Sequence, residues 1–199
     1  MPVNLILNSV VAVAALAVAI LFRTPLTALM STHMLVQIPL LVLAGVFAEQ
    51  AWRARPGRGR NPIRAAGAKR WSYNEYGVPG MLLATLIGAY WMIPKALDDA
   101  LVLWQVEVFK YLGLFLVGVI VRASVRHSDT VIKLFFLGNF CWMSAIVGMV
   151  YLDQPIRLCN AYLQGDQEWA GRGLIALAII LPSTWLLAEV RPIWRFLKR

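Results

Sequence analysis

The sequence predicts an all-α membrane protein: one bundle of six transmembrane helices with the N and C termini in the cytoplasm. Three observations predict this fold class. Hydrophobic residues make up 60% of the 199 residues and charged residues only 15%, a more apolar composition than that of soluble globular domains. The mean hydropathy is +0.67. Six stretches reach the roughly 20 apolar residues that a helix needs to cross about 30 Å of hydrocarbon.

The predicted spans form a single transmembrane domain, residues 1–199, and cover residues 3–22, 26–47, 77–97, 100–121, 131–152 and 173–190. We interpret the first span as a retained helix, because it is longer than a signal-peptide core and lacks a small-residue cleavage site. The outer connections are expected to be a tight turn at 94–99 and a segment at 153–171 with a short interfacial helix. Two pairs of small residues lie four apart on one helix face, Ala84 with Gly88 and Ser144 with Gly148. Each pair predicts a contact with another helix.

The orientation follows from the distribution of positive charge. Most of the 19 Lys and Arg residues fall on the same side of the predicted spans as the two termini. Because Lys and Arg near helix ends stay in the cytoplasm, this side is predicted to be cytoplasmic, in a bacterial inner membrane. The basic loop 48–76 is expected to touch anionic lipid headgroups. Trp52 and Trp71 within it are typical of the membrane interface, which argues against a nucleic-acid partner.

Three ionisable residues inside the predicted spans are the main candidates for function: His33, Glu107 and Lys110. At about 1.5 Å per residue, His33 and Glu107 lie roughly 10 Å below the outer membrane edge and Lys110 lies somewhat deeper. Glu107 and Lys110 are three residues apart and share a helix face. Two interpretations are open: an internal ion pair that lets lipid tolerate the charges, or a proton, ligand or metal site.

A copper site is one version of the second interpretation. Met30, His33 and Met34 place an imidazole and two thioethers on adjacent turns, and Met92 would come from a neighbouring helix. Thioether and imidazole ligands suit Cu(I), although methionine also serves as a packing residue. Haem is disfavoured, because the only other histidine, His127, falls in a cytoplasmic loop and cannot face His33.

Two stretches carry a motif order in common with a known family. Residues 31–37 read STHMLVQ and residues 39–45 read PLLVLAG; residues 91–101 read WMIPKALDDAL and residues 106–112 read VEVFKYL. In order and spacing they resemble the CtaG-type caa3 cytochrome oxidase assembly proteins, with their S-x-H-M…Q-H…P-x-L-L-x-L-G, W-H-x-P-x-x-Y-D-x-A-L and H-x-x-E-H patterns. The four stretches that carry the resemblance comprise 32 of the 199 residues.

The resemblance implies a membrane protein that assembles or sustains a haem–copper oxidase. Ile38, Met92 and Val108 stand where the family has further histidines, so that His33 and Glu107 remain of the family's pattern. The loss of histidines indicates a reduced relative that serves as a structural subunit.

We therefore expect a non-catalytic assembly factor or accessory subunit of a respiratory or other membrane redox complex, in contact with lipid and with subunits of that complex. No self-contained catalytic constellation is visible in the sequence. Two alternatives remain open. One is a quinone- or haem-binding anchor that passes electrons to a periplasmic partner, with Tyr90, Trp91 and Trp104 as pocket walls. The other is a small transporter or channel with Glu107 and Lys110 along a polar path.

Overall fold

The computed structural model describes residues 3–55, 74 and 76–197, and for residues 188–197 it describes the backbone alone. Within this part the chain is helical, without strands, which confirms the all-α class. The helices are α1 (Val3–Leu21), α2 (Arg23–Thr27), α3 (Met30–Arg53), α4 (Val78–Tyr90), α5 (Pro94–Val102), α6 (Trp104–Val125), α7 (Thr130–Asp153) and α8 (Gln164–Leu197). Five of these described helices are long and apolar enough to cross a membrane: α1, α3, α6, α7 and α8.

The region of the third predicted span differs from the expectation. Helix α4 has only 13 residues, about 20 Å, and is too short to cross the hydrocarbon alone. Together with α5, to which it is bent by 74°, it is long and apolar enough to form one span. The expected turn at 94–99 is helical, since Pro94 at the first turn of α5 needs no N–H partner. The next long helix begins at Trp104 rather than at residue 100, because Leu103 is extended.

Other predicted boundaries fall into two groups. Helices α1 and α7 agree within a residue with the predicted spans 3–22 and 131–152. The second predicted span starts later than expected, with α3 preceded by the short α2. The last helix starts earlier, so the interfacial helix expected in 153–171 is the beginning of α8. Most of the predicted basic loop 48–76 lies outside the described residues, although residues 48–53 are helical.

Helices α3 and α6 touch through their backbones. A Cβ atom added at Gly45 would overlap the carbonyl oxygen of Phe115, and one added at Gly118 would overlap that of Val42. Glycine permits such close approach between membrane helices. This contact was not predicted from the sequence.

The register of the contact fixes the relative direction of the two helices. Gln37 lies eight residues before Gly45 on α3, and Lys110 lies eight residues before Gly118 on α6. Nζ of Lys110 donates a hydrogen bond to Oε1 of Gln37 at 3.0 Å. Equal offsets along both helices mean that α3 and α6 run parallel. The chain between them must therefore return to the end of the bundle at which α3 began.

Helix α4 makes part of this return. Gly80 in its first turn lies against Ser124 near the end of α6, and Trp91, directly after its last turn, packs with Leu114 of the first half of α6. Helix α4 is therefore antiparallel to α6. We call the end of the bundle near Lys110 the site end and the opposite end the Ser124 end.

The predicted small-residue contacts are partly right. Gly148 lies against α8, because an added Cβ would come within 2.7 Å of the carbonyl oxygen of Gly171, and Ser144 on the same face is fully buried. Gly88 is not a contact point: an added Cβ would meet nothing within 4 Å. Its expected partner in the pattern, Ala84, is buried.

A π-helical turn interrupts α3 over His33–Gln37, where the N–H of Ile38 donates to the carbonyl of His33. Pro39 follows directly. Proline has no N–H to donate and its ring crowds the carbonyl four residues earlier, here that of Leu35. A wider turn before Pro39 relieves this conflict, and such single π turns are frequent at functional sites. His33 and Gln37, at the two ends of the turn, are both fully buried.

The α3–α6 contact predicts that alanine substitutions at two glycines have different effects on the free energy of unfolding. Replacing Gly118→Ala should lower the free energy of unfolding by about 1–3 kcal/mol, because the methyl group overlaps the Val42 carbonyl and the helices must separate. Gly88→Ala, which meets open space, should change stability by no more than about 1 kcal/mol, in the stabilising direction of helix propensity. Thermal unfolding in detergent micelles measures both. Equal effects would show that the helices do not touch at Gly118.

Candidate functional site

A chain of hydrogen bonds between buried side chains is the central feature of the site end. The Nζ atom of Lys110 lies 2.8 Å from Nε2 of His33, and Nδ1 of the same ring lies 2.6 Å from the hydroxyl of Tyr162. Lys110 and His33 have no solvent exposure, and Tyr162 retains 3%. The three residues come from α6, from the π turn of α3 and from the connection between α7 and α8.

Two further side chains complete the polar surroundings of Lys110. The Gln37 amide accepts from Lys110 through Oε1 and donates through Nε2 to the Tyr111 hydroxyl at 2.9 Å and to the carbonyl of Ala19 at 3.2 Å. Tyr111 donates to the same carbonyl at 3.0 Å. The Lys110 nitrogen also lies 5.3 Å from the centroid of the Tyr111 ring. We call Lys110, His33, Gln37, Tyr111 and Tyr162 the lysine–histidine network.

The donor and acceptor inventory gives the network a direction. An ammonium group has only donors, so a protonated Lys110 requires Nε2 of His33 to accept. The hydrogen of the neutral ring then sits on Nδ1 and is donated to Tyr162. In this state Lys110 has acceptors in His33 and Gln37 and an aromatic face in Tyr111, so the buried cation is solvated by neutral groups alone.

The predicted pairing of Glu107 is wrong. The Glu107 carboxylate forms its ion pair with Nε of Arg23 in α2, and no ion pair or hydrogen bond joins it to His33 or Lys110. The structure therefore brings two of the three candidates together and gives the third another partner. Because Lys110 lies one turn further along α6, its side chain reaches His33 directly, whereas Glu107 faces the chain segment that enters α3.

The proposed copper ligands do not fit a copper ion. Met30 and Met34 are buried in one apolar cluster with Leu97 and Tyr162, and Met92 packs against that cluster. Both ring nitrogens of His33 are engaged, one of them by the lysine amine. A metal ion at His33 would have to displace a hydrogen-bond partner. In the described part of the chain, no three His, Cys, Asp or Glu side chains are grouped to hold a metal.

The aromatic residues expected to wall a cofactor pocket differ in burial. Trp91 is fully buried among Ala19, Leu41 and Leu114, whereas Tyr90 and Trp104 expose 44% and 69% of their surface. Tyr90 contacts Trp91 edge to face. The three residues do not enclose a common space with His33.

The connection between α7 and α8 is fastened to the rest of the bundle by side chains on three elements. The Asp98 carboxylate of α5 accepts from the backbone N–H groups of Asn160 at 2.7 Å and Ala161 at 3.2 Å. Gln167 of α8 accepts from the N–H of Leu158 at 2.8 Å. These bonds hold the segment 158–161 in place, and Tyr162, which follows it, reaches His33. We call residues 154–163 the outer loop.

Burial changes the acidity of two groups in the outer loop. Burial raises the pKa of the Cys159 thiol to about 12, and the Asp98 carboxylate adds to the increase. The thiol lies 3.5 Å from the carbonyl of Pro94. Burial, with smaller contributions from Cys159 and Asp98, also raises the pKa of the Tyr162 hydroxyl. Tyr162 therefore stays protonated at neutral pH and remains able to donate as well as accept.

An open pocket of about 520 Å³ lies beside the outer loop. It is lined by Lys95, Asp98, Asp99, Val102, Leu103, Leu158, Asn160 and Ala161. Lys95 forms an ion pair with Asp99 at 3.1 Å, and Val102 is 80% exposed. The pocket thus combines a charged rim with exposed apolar side chains, and none of the network residues lines it.

Sequence reasoning missed four participants in the site: Gln37, Tyr111, Tyr162 and Arg23. Gln37 carried a usable signal, because it lies four residues after His33 and directly before the helix-distorting Ile38–Pro39 step. Tyr111 directly follows Lys110, but nothing in the sequence indicates its bonds to Gln37 and to the carbonyl of Ala19. Arg23 adjoins Glu107 only in three dimensions. Tyr162 comes from a connection 129 residues away from His33, and no local pattern indicates that contact.

Comparisons of the chain with protein-family models, with curated proteins and with solved structures found no match.

Replacing His33→Phe should lower the free energy of unfolding by about 3–5 kcal/mol, because the buried Lys110 amine loses a partner and the Tyr162 hydroxyl is left unpaired. The matched control is His127→Phe. His127 makes one local bond to the carbonyl of Ala123 and is half-buried, so its loss should cost about 1 kcal/mol or less. Thermal unfolding of both variants in the same detergent gives the comparison. Equal losses would contradict a structural role for the network.

The outer loop predicts a protected thiol. In a Cys141→Ala background, Cys159 should react with a maleimide at pH 8 on the order of a thousandfold more slowly than an unperturbed thiol, because the thiolate is the nucleophile. Asp98→Ala should speed this reaction at least tenfold by releasing Asn160 and Ala161.

Asp99→Ala is the matched control for this experiment, since Asp99 pairs with Lys95 and makes no bond to the outer loop. Its rate should stay at the parent value. Fast labelling of the parent protein would show that the outer loop is not held closed.

Proposed function

We propose that this chain is a non-catalytic accessory subunit or assembly factor of a membrane redox complex, and that it crosses a bacterial inner membrane six times with both termini in the cytoplasm. The parallel register of α3 and α6 supports six crossings, because the α4–α5 pair must then carry the chain back across. The distribution of Lys and Arg supports the orientation. In this arrangement the site end and the outer loop face the periplasm.

The observation that carries the proposal is the closed hydrogen bonding of the lysine–histidine network. Each polar group named in it has a partner within the protein, and the network connects α1, α3, α6 and the outer loop. Networks satisfied in this way rigidify a protein and select one arrangement. A catalytic or transport site needs a group left free for a substrate, whereas a docking subunit needs a fixed surface. The network supplies a fixed surface.

The pocket beside the outer loop is the surface we assign to the partner. Its exposed Val102 and Leu103 are flanked by the Lys95–Asp99 pair and by Asp98, whose carboxylate also fastens the outer loop. Apolar anchors surrounded by polar groups are typical of protein interfaces. The network beneath holds this surface in one shape.

The redox complex as partner rests on the resemblance of residues 31–45 and 91–112 to the CtaG-type oxidase assembly proteins. Copper is not included in the proposal, since the donor set around His33 does not fit it. A structural subunit agrees with a chain that keeps His33 while its two ring nitrogens serve the protein's own hydrogen bonds.

The two alternatives have less support. An electron-carrying anchor needs a walled cofactor pocket, and Tyr90, Trp91 and Trp104 do not share one. A transporter needs a polar path that continues through the membrane. The residues that follow Lys110 toward the Ser124 end include the buried apolar side chains Leu41 and Leu114, which interrupt such a path.

A pull-down of the tagged full chain in mild detergent, followed by mass spectrometry, tests the proposal. We expect subunits of a respiratory complex to co-purify, and we expect Val102→Lys to reduce their yield at least tenfold, because it places a charge on the apolar anchor. Val131→Lys is the matched control: Val131 is 76% exposed, close to the 80% of Val102, but it lies at the Ser124 end. Absence of respiratory subunits, or equal yields from both variants, would overturn the proposal.

A further inference from the structure

Asn139 is an exposed polar side chain in the middle of a membrane-length helix, and the described part of the chain gives it no hydrogen-bond partner. Asn139 lies nine residues after the start of α7, about 14 Å along a helix of 24 residues, and its side chain is exposed on the outside of the bundle. It makes no hydrogen bond to the described part of the chain. An amide in hydrocarbon without a hydrogen bond costs several kcal/mol.

Two exposed hydroxyl residues of α8 avoid this cost. Ser183 of α8 donates to the carbonyl of Ile179 at 2.7 Å, and Thr184 donates to that of Leu181 at 2.8 Å. Hydroxyl groups can be satisfied in this way by their own helix. The amide of Asn139 makes no such bond, so its partner must come from outside the described bundle.

The surface around Asn139 has the shape of a helix contact. Gly138 precedes it, and a Cβ added there would meet nothing within 4 Å, so the backbone is open to a neighbour. Phe135, Trp142 and Ile146 lie four to eleven residues apart on the same exposed side, with 67%, 69% and 40% exposure. Small residues that admit close approach and amides that bond across helices are the two features enriched at membrane helix interfaces. We call these five residues the Asn139 face.

We infer that the Asn139 face binds the same face of a second copy of this chain, with the two Asn139 amides hydrogen-bonded across a two-fold axis. An amide carries both a donor and an acceptor, so it is complementary to itself. A two-fold axis brings equal patches together. The face bears no charge, so two copies meet there without repulsion despite the net charge of +9. This dimer is independent of the partner under Proposed function, which binds at the pocket beside the outer loop.

Energy transfer between donor- and acceptor-tagged full chains in phospholipid vesicles tests the dimer. Transfer should rise with the protein-to-lipid ratio, and Asn139→Leu should raise the ratio needed for half-maximal transfer by roughly 3- to 30-fold, the range that interhelical hydrogen bonds imply. Asn139→Gln retains the amide and should restore transfer to within about threefold of the parent.

Two further variants locate the contact. Gly138→Ile should weaken transfer by blocking close approach, and it leaves the single chain intact because nothing lies within 4 Å of the added Cβ. Ser183→Leu, an exposed polar-to-apolar change on α8, is the matched control and should leave transfer unchanged. Absence of transfer at every ratio, or transfer that Asn139→Leu and Gly138→Ile leave unaltered, would overturn the inference.

Discussion

The hydrogen bond between Lys110 and His33 is the constraint on which the site end of the molecule depends. An amine on a membrane helix needs partners within the protein, because hydrocarbon offers none. Here the partners are neutral: an imidazole, an amide and an aromatic face. Each must be brought to within bonding distance of one nitrogen atom. The close backbone contact at Gly45 and Gly118 brings α3 against α6, and the π turn directly before Pro39 places an imidazole and an amide at the two ends of the same turn.

The outer loop depends on this bond in turn. A protonated Lys110 makes the near ring nitrogen of His33 an acceptor, which leaves the far nitrogen to donate to Tyr162. Asp98 and Gln167 hold the backbone on the N-terminal side of Tyr162, so the outer loop is fastened both from beneath and from its edge. The hydrogen bonds from Lys110 through His33 to Tyr162 thus transmit the position of two membrane helices to the outer loop.

The sequence predicts the parts of this structure that depend on composition and on single helices. The extents of α1 and α7 follow from long stretches in which apolar residues predominate, and His33 with Lys110 follows from estimated depth along two spans. The partner of Glu107 could not be predicted in the same way, because α2 turns Arg23 toward it and a depth estimate contains no information on rotation about the helix axis. The helical α5 escaped prediction because Pro94 and its acidic neighbours are equally typical of a turn and of a helix start.

The polar residues of the lysine–histidine network and Asn139 point in opposite directions, and this difference separates folding from association. Those that point inward, His33, Lys110 and Gln37, are satisfied by one another and by the outer loop, so they stabilise one arrangement of the single chain. Asn139 points outward and is satisfied by none of them. A substitution in the inward group therefore acts first on the stability of the chain, whereas a substitution at Asn139 leaves the bundle intact and acts on what the bundle binds. An unpaired polar group in lipid is costly. Avoiding this cost stabilises the fold at the lysine–histidine network and drives association at Asn139.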